Sequence, residues 1–431
     1  MNLVSNNKIT LSLKKELLFP IIVCIAIIAG TFNSLFSYFA FALSIIAIVA
    51  LNEEDAIGFM MLIMPFANIF KPSPGAQSFF TYLILFYLLF FFAKRNQISK
   101  TFLIALGLLI MYLIFQMYIS QNILRTIKFV ANILLIYLAV SVSHEHNVAK
   151  MCLLYVSGVI STSLIAALNI IPNLHNYIGS QDMTLQEEQI ARFIGMYGDP
   201  NYYSVNLIIA LCLIIILNHK KYLSTIPALC LGGLSVVFVG MTLSKSSFLM
   251  LVLPLALLMY SKLKKRNYFV FFGVLILCIL AIELLFSGKI TIFNNVLSRI
   301  TSSSDINSLT TGRSNLWMAY CEFIWDNPKA LLLGEGFGAG LVIGHAAHNT
   351  YIDLIYYLGI AGTILVLLVF GAITKNSKNI LKANLLNYSV WICIGLMYFF
   401  LSELFYFDWA FHIIIAICIF KTDMNKTKDE V

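Results

Sequence analysis

Apolar runs long enough to cross a lipid bilayer follow one another along almost the entire chain. A membrane-spanning helix uses about 20 predominantly apolar residues. Charged residues, which would interrupt such runs, make up only 11% of the sequence, whereas soluble domains carry about 25%. This pattern excludes a soluble enzyme, a DNA-binding protein and a secreted disulfide scaffold. We expect an all-α integral membrane protein with about 12–14 transmembrane helices.

The hydropathy pattern places these spans between mostly short polar loops. The predicted spans are 17–32, 34–51, 56–70, 78–93, 101–119, 123–143, 149–171, 200–218, 223–243, 246–260, 268–286, 349–371, 386–402 and 404–420. The spans 56–70 and 246–260 are short enough to be re-entrant or to merge with a neighbour. Two connections, 172–199 and 287–348, are far longer than the others, and long loops tend to carry function.

Lysine and arginine in short loops predict the orientation, because such loops stay in the cytoplasm. Most of the 28 lysines and arginines fall in alternate loops on one side of the predicted spans. They are Lys8, Lys14, Lys15, Lys94, Arg95, Lys100, Lys150, Lys220, Lys221, Lys262, Lys264, Lys265, Arg266, Lys375, Lys378, Lys382, Lys421, Lys426 and Lys428. Both termini are therefore predicted to be cytoplasmic. The net charge of +8 forms no basic stripe, so we expect no nucleic-acid partner.

Spans and loops together divide the chain into five segments. These are N-terminal transmembrane helices over 1–171, an extracytoplasmic loop over 172–199, central transmembrane helices over 200–286, a large extracytoplasmic loop over 287–348, and C-terminal transmembrane helices with a cytoplasmic tail over 349–431. The large loop is expected to be partly helical, because residues 316–323 carry apolar side chains at helical spacing. Thr311 or Ser314 would cap this helix, and Asn327 would end it.

The end of the large loop carries residues suited to acid–base chemistry. His345 and His348 lie there, and a neutral histidine can accept a proton at physiological pH. Asp353 follows about one helical turn inside the next span, and a carboxylate inside a span is a functional candidate by default. The structural alternatives are a histidine that bonds to loop backbone and a carboxylate that tethers the loop. Spacing alone leaves both interpretations open.

Three cations from distant segments lie at span ends or in outer loops: Arg192, Lys245 and Arg313. Arg313 falls in the first turn of the predicted loop helix, where free N–H groups and the helix dipole favour an anion. Guanidinium groups bind phosphate oxygens in bidentate geometry. The three cations are therefore candidates to hold a phosphate or diphosphate, with contact to lipid headgroups as the alternative. Arg125 and Lys128, one turn apart at a span start, would extend a polar cavity or anchor that helix.

The remaining motifs point away from nucleotide and metal chemistry. The glycine-rich segment 334–340 looks like a phosphate-binding loop, but it lacks the strand and helix of a dinucleotide site. We expect it to be a flexible hinge. The sequence contains no Walker A motif, no HExxH and no CxxC. We expect neither a cofactor nor a metal ion.

Several motifs together resemble the O-antigen ligase/polymerase family. They are TGRSNLW at 311–317, NP at 327–328, LGEGFG at 333–338, HNTY at 348–351 and LGIAG at 358–362, in this order before a late span. Two further stretches, GDPNY at 198–202 and LSKSS at 243–247, support the resemblance. The first seven spans match in hydropathy only. As a set the motifs are specific, although each alone is weak.

The resemblance implies a glycosyltransferase of the bacterial cytoplasmic (inner) membrane that uses undecaprenyl-diphosphate-linked oligosaccharides at its extracytoplasmic face. The loop over 287–348 would then be catalytic. The histidine of the family's HN motif, the expected base, corresponds to His348, and its outer, diphosphate-holding arginines correspond to Arg192 and Arg313. Lys245 stands where many members have arginine, so it keeps the charge but loses the bidentate fork. The supporting candidates are Asn349, Asp199, Asp353 and Arg125.

Three functions remain open from the sequence. The favoured one is a polysaccharide polymerase for O-antigen, capsule or exopolysaccharide, which moves a growing glycan from its carrier onto a lipid-linked repeat unit with inversion. A ligase would instead move the finished glycan onto lipid A–core, with the same donor and base. A lipid-linked oligosaccharide flippase is the alternative of another class, but it would need charged residues along a central cavity. Membrane lipids and a chain-length regulator are the other expected partners.

Overall fold

The part of the chain described here is helical. The computed structural model describes residues 18–95, 98–172, 174–178, 192–264, 268, 272–273, 276, 310, 312–375, 385–402 and 404–421. Its helices are α1 Leu18–Gly30, α2 Ser34–Ala50, α3 Glu53–Ile63, α4 Phe79–Lys94, α5 Lys100–Ile119, α6 Ile123–Val142, α7 Glu145–Ala167, α8 Leu174–Ile178, α9 Pro200–His219, α10 Thr225–Met241, α11 Lys245–Lys264, α12 Arg313–Asp326, α13 Pro328–Leu333, α14 Thr350–Thr374, α15 Leu385–Tyr398 and α16 Phe407–Lys421. A 3₁₀ helix at Met64–Phe66 follows α3. Within these ranges there is no strand.

Five of the described helices are long and apolar enough to cross a membrane. They are α5, α6, residues Asn147–Ala167 of α7, α9 and α14. Six further helices of 10–17 residues are apolar but shorter. The molecule is therefore an all-helical protein suited to a membrane, as its hydropathy predicts. The number of spans and their orientation stay predictions.

Helix α9 occupies the centre of the bundle. Its sequence is apolar on every side, and nearly all of its residues are buried, which is the pattern of a helix enclosed by others. Helices α7, α10, α11 and α15 pack against it. Helix α16 lies against α6, α7 and α15, while α14 packs on α5 and on the short helix α13. In lipid such packing rests on close van der Waals contact and on hydrogen bonds between helices.

A buried polar network links the central helices. The amide oxygen of Asn206 on α9 accepts a hydrogen bond from Tyr155 on α7 at 2.8 Å, and it lies 3.1 Å from Nε2 of His412 on α16. The hydroxyl of Tyr398 on α15 lies 3.4 Å from the other ring nitrogen of His412. Each interhelical bond of this kind contributes about 0.6–2 kcal/mol in a membrane. The network therefore fixes how α9 sits among its neighbours.

The predicted boundaries agree with the helices to within a few residues, with one clear exception. The predicted span 56–70 is not one helix, because α3 has ended by Ile63 and a 3₁₀ turn follows. Pro65 lies in that turn, and its missing N–H and bulky ring interrupt an α-helical ladder. Most of the predicted span 268–286, both chain termini and most of 287–311 lie outside the described residues.

The two ends of the bundle differ in charge. At one end the first turn of α3 carries three carboxylates, of which two are paired with a cation and the third with a histidine ring. The pairs are Glu53 with Arg95 at 3.2 Å, Glu54 with His144 at 3.2 Å, and Asp55 with Lys150 at 2.8 Å. Lys421 reaches the same end of α6, where it donates to the carbonyl of Val140. Arg125 lies in the first turn of α6, 15 residues before Val140, and is therefore about 22 Å away at the opposite end.

Helix α14 is broken at Gly359, and the glycine-rich segment repairs the break. Gly359 has φ 62°, so the carbonyls before it lose their helical partners. The N–H groups of Glu335 and Gly336 donate to the backbone carbonyls of Tyr356 and Tyr357 at 2.8 and 2.9 Å, respectively. Two N–H groups of segment 334–340 are therefore committed to α14 and cannot also bind a phosphate. The flexible hinge expected from the sequence stays a prediction.

Candidate functional site

The first turn of α9 forms one wall of the site. Asp199 is its N-cap, and the carboxylate accepts from the N–H groups of Asn201 at 2.6 Å and Tyr202 at 3.2 Å. This is the usual role of aspartate at a helix start, where it offsets the orphan N–H groups and the positive end of the dipole. Asp199 was predicted as a supporting residue, and the structure places it at the base of the cluster.

Asn201 links the two chain segments that carry the predicted cations Arg192 and Lys245. Its side-chain oxygen accepts from a guanidinium nitrogen of Arg192 at 3.3 Å and from the hydroxyl of Ser244 at 2.8 Å. Arg192 also donates through Nε to the carbonyl of Thr242 at 3.0 Å. Lys245 follows Ser244 directly and begins α11. Arg192 and the backbone at Lys245 therefore meet at Asn201, although they are far apart in sequence.

Arg313 enters the cluster from the loop helix. It is the first residue of α12, and the preceding Gly312 has φ 82°, a conformation that glycine adopts without steric cost. Burial lowers the pKa of the Arg313 guanidinium, whereas the nearby Asp199 and Tyr202 raise it. Asp199 thus faces Arg313 across the site and compensates part of the desolvation of its charge.

The sequence predicted the loop helix correctly but not its cap. We expected Thr311 or Ser314 at the start, whereas Gly312 occupies the N-cap and makes no side-chain hydrogen bond. The hydroxyl of Thr310 accepts from the N–H of Ser314 at 3.1 Å instead. The glycine's positive φ moves the start of the helix by one residue, so a threonine further upstream reaches the free N–H.

Helix α12 fixes the chain that leads to His348. The indole N–H of Trp317 donates to the carbonyl of Ala347 at 3.0 Å, and the hydroxyl of Tyr320 donates to the carbonyl of His345 at 2.9 Å. The Trp317 ring also packs edge-on against Phe399 with centroids 4.8 Å apart. The helix that carries Arg313 therefore also sets the position of the histidine segment.

His348 has an unusual backbone conformation and an unsatisfied ring nitrogen. Its φ is 50°, in the left-handed region that non-glycine residues rarely occupy. Nδ1 is buried and finds no hydrogen-bond partner among the described residues. Burial lowers the pKa of His348 below its ordinary 6.5, the charges of Arg313 and His345 lower it further, and Asp199 raises it. The imidazole is therefore neutral at physiological pH and close to Arg313 and Asp199.

Asn349 has a structural role. It is the N-cap of α14 and only 1% exposed, and its side-chain oxygen accepts from the N–H groups of Tyr351 and Ile352 at 3.0 and 3.1 Å. Because that oxygen is committed to the helix, Asn349 orients His348 through the backbone. The neighbouring Thr350 hydroxyl donates to the carbonyl of Leu401, which ties this helix start to the segment before α16.

Asp353 and Arg125 form a second group beside the first. Asp353 is 4% exposed and lies one turn into α14, within electrostatic range of Arg125. Arg125 donates to the carbonyl of Phe337 at 3.0 Å, and its guanidinium lies 5.1 Å from the centre of the Phe405 ring. Arg125 thus holds the glycine-rich segment and faces Asp353. Of the two roles open to Arg125, the contacts match the anchor.

The structure brings the predicted catalytic and cationic residues to one end of the bundle. Tyr203, near the start of α9, donates to Ser163, near the end of α7, whereas Lys150 near the start of α7 lies in the oppositely placed ion-pair cluster. The site therefore lies away from that cluster. Asn201 and Ser244 hold together the segments that carry Arg192 and Lys245. In the sequence they stand out only as members of the GDPNY and LSKSS motifs. No local spacing in the sequence signals a contact between two residues that are 43 positions apart.

A neutral histidine lies at the same end of the bundle as Arg313 and Lys245, which begin helices, and Arg192, which precedes α9. This arrangement is suited to proton removal beside a bound anion. Within the described ranges, no group of three or more His, Cys, Asp and Glu side chains could hold a metal ion. The expectation of a metal-independent reaction stays a prediction. In comparisons with known proteins, the chain matches no family model, no curated protein and no solved structure.

Proposed function

We propose that this chain is a membrane glycosyltransferase that polymerises lipid-linked oligosaccharides at the extracytoplasmic face of a bacterial cytoplasmic membrane. One observation carries the proposal: His348 presents a buried, unpartnered Nδ1 within the described structure, next to Arg313 and Asp199. A neutral base beside a cation is what transfer from a diphosphate leaving group requires. The motifs shared with the O-antigen ligase/polymerase family supply the substrate class.

The reaction follows from these parts as a single displacement. His348 takes the proton from an acceptor hydroxyl, whose oxygen attacks the anomeric carbon of the donor sugar. The bond from that carbon to the carrier diphosphate breaks, and the electron pair leaves with the diphosphate. Arg313, Arg192 and Lys245 offset the charge on the departing diphosphate, and attack from the opposite side inverts the anomeric configuration. General base catalysis contributes about 100- to 10,000-fold, and preorganised cations contribute a comparable factor.

The charge distribution supports the proposed orientation. Arg95, Lys150 and Lys421 belong to the loops predicted as cytoplasmic, and they meet at one end around the first turn of α3. The site lies at the other end, close to Arg125 in the first turn of α6. On the rule that basic short loops stay inside, the site faces outward.

Purified protein in detergent tests the function class. Incubated with an undecaprenyl-diphosphate-linked repeat unit alone, it should form a ladder of longer lipid-linked glycans and release undecaprenyl diphosphate. A flippase would form no new bond in detergent. A ligase would turn over only after lipid A–core is added, and that outcome would replace the polymerase proposal with the ligase.

A further inference from the structure

Lys71 is a buried cation outside the site described above. It lies between the 3₁₀ helix at Met64–Phe66 and α4, and only 8% of its surface is exposed. Its ammonium nitrogen lies 5.6 Å from the centre of the Tyr177 ring. Among the described residues this ammonium makes no hydrogen bond and no ion pair. Most of the side chain is buried, and its ammonium has no partner among the described residues, so its three N–H donors are available to an anion.

The backbone around Lys71 is firmly held. Its carbonyl accepts from the hydroxyl of Ser37 at 3.0 Å and from that of Tyr177 at 2.6 Å. The N–H of Phe79 donates to the carbonyl of Phe70 at 2.7 Å, which closes the loop onto the start of α4. Contacts with helices α2, α4 and α8 thus fix the backbone of Lys71, and its burial follows from the packing of these helices.

Lys71 lies at the same end of the bundle as the candidate site. The hydroxyl of Tyr197 donates to the sulfur of Met64 at 3.2 Å, and Tyr197 is two residues from Asp199. Helix α4 starts near Lys71 and ends at Lys94, beside the Arg95 ion pair of the opposite end. The lysine and the site therefore share one membrane face.

We propose that Lys71 binds the diphosphate of the acceptor lipid, in a second anion site separate from the Arg192–Arg313 cluster. The inference rests on the proposed function, since a polymerase joins two substrates that each carry a lipid diphosphate. The cluster neutralises the donor diphosphate, and the acceptor diphosphate needs its own counter-charge at the same face. Contact with the Tyr177 ring engages the cation without using its N–H donors, which leaves them for phosphate oxygens.

Counting bound lipids tests this site. Native mass spectrometry of the full-length protein, with undecaprenyl diphosphate as probe, should show two bound molecules for the wild type and one for Lys71→Met. Lys71→Arg should keep both. The control Lys329→Met, at an exposed lysine of α13, should also keep both. In turnover assays Lys71→Met should raise the acceptor KM at least tenfold while the donor KM stays within twofold. Its thermal stability without lipid should not fall, because a buried unpaired charge has been removed.

Other outcomes overturn the assignment in distinguishable ways. Two bound molecules in Lys71→Met, with an unchanged acceptor KM, would show that Lys71 binds no substrate. If phosphatidylglycerol competes for the second position and the acceptor KM is unaffected, the site takes a structural phospholipid headgroup. If the wild type turns over no substrate and binds no undecaprenyl diphosphate, the proposed function itself fails. A Lys71 failure alone leaves wild-type turnover intact.

Discussion

At the scale of single residues, His348 combines a strained backbone with a ring nitrogen that has no hydrogen-bond partner among the described residues. A non-glycine residue at positive φ costs about 1–3 kcal/mol, and such residues persist where the surrounding structure holds them. Here Trp317 and Tyr320 hold the segment before His348, and Asn349 caps the helix after it. The strain therefore places an imidazole where a helical residue could not, beside Arg313.

The charges around His348 predict opposite shifts in the pH dependence of transfer. Burial and Arg313 lower the pKa of His348, so the neutral base persists at neutral pH and the rate falls only below the ordinary 6.5. Arg313→Gln removes a lowering charge and should move this acid limb to higher pH. Asp199→Asn keeps the helix cap but removes the charge that raises the pKa, so the limb should move to lower pH. Initial rates from pH 4.5 to 8 measure both, and shifts of the same sign would contradict the arrangement.

The sequence could supply the catalytic candidates but not their arrangement. Histidine before asparagine and arginine at a helix start are local patterns, and the structure brings them together. Asn201, which joins Arg192 to Ser244, makes contacts across long stretches of chain that no local pattern encodes. Asn349 illustrates the converse: the resemblance made it a supporting candidate for the site, whereas its side-chain oxygen caps α14.

At the scale of helices, hydropathy predicts which helices exist and roughly where each begins and ends. It does not predict where a helix is interrupted. The Pro65 break in the predicted span 56–70 and the Gly359 break inside α14 both fall in apolar sequence. A glycine within an apolar run usually remains helical at a cost of about 1 kcal/mol. Distant groups stabilise the break at Gly359: the N–H groups of Glu335 and Gly336 donate to the freed carbonyls of Tyr356 and Tyr357, and the hydroxyl of Tyr112 donates to that of Leu358.

This break predicts a sharp difference between two glycines of the same helix. A Cβ at Gly359 would lie 2.5 Å from the nitrogen of Gly334 and 2.6 Å from the carbonyl carbon of Leu332, and its φ is positive. Gly359→Ala should therefore destabilise the protein by about 2 kcal/mol or more. The matched control is Gly371→Ala, where no described atom lies within 4 Å. Thermal unfolding in detergent checks the pair, and equal melting temperatures would contradict the packed break.

At the scale of the whole molecule, a centrally buried α9 carries the site at one end and leaves the paired charges of α3 at the other. Each end draws its residues from several helices, so neither cluster is visible in any single stretch of sequence. The two-ended arrangement agrees with the predicted alternation of basic loops. Most of residues 268–286 and the chain ends lie outside the described ranges, so their predicted topology rests on sequence alone.

Membrane orientation can be read from two exposed positions at opposite ends. In a variant that keeps Cys321, on the exposed side of α12, as its single cysteine, this thiol should react with an impermeant reagent in intact cells. A cysteine introduced by His144→Cys, beside the α3 ion pairs, should react only after permeabilisation. The reverse labelling pattern would invert the orientation and place the site in the cytoplasm.

The central claim is that His348 takes the acceptor proton, and comparing its loss with that of its neighbour His345 tests this most directly. Asparagine tolerates positive φ, so His348→Asn keeps the backbone while it removes the base. We predict that His348→Asn lowers the polymerisation rate at least 100-fold with an unchanged melting temperature, and that His345→Gln stays within threefold of wild type. Near-normal glycan ladders from His348→Asn, or a larger loss at His345, would contradict the claim and make Asp353 the next candidate base.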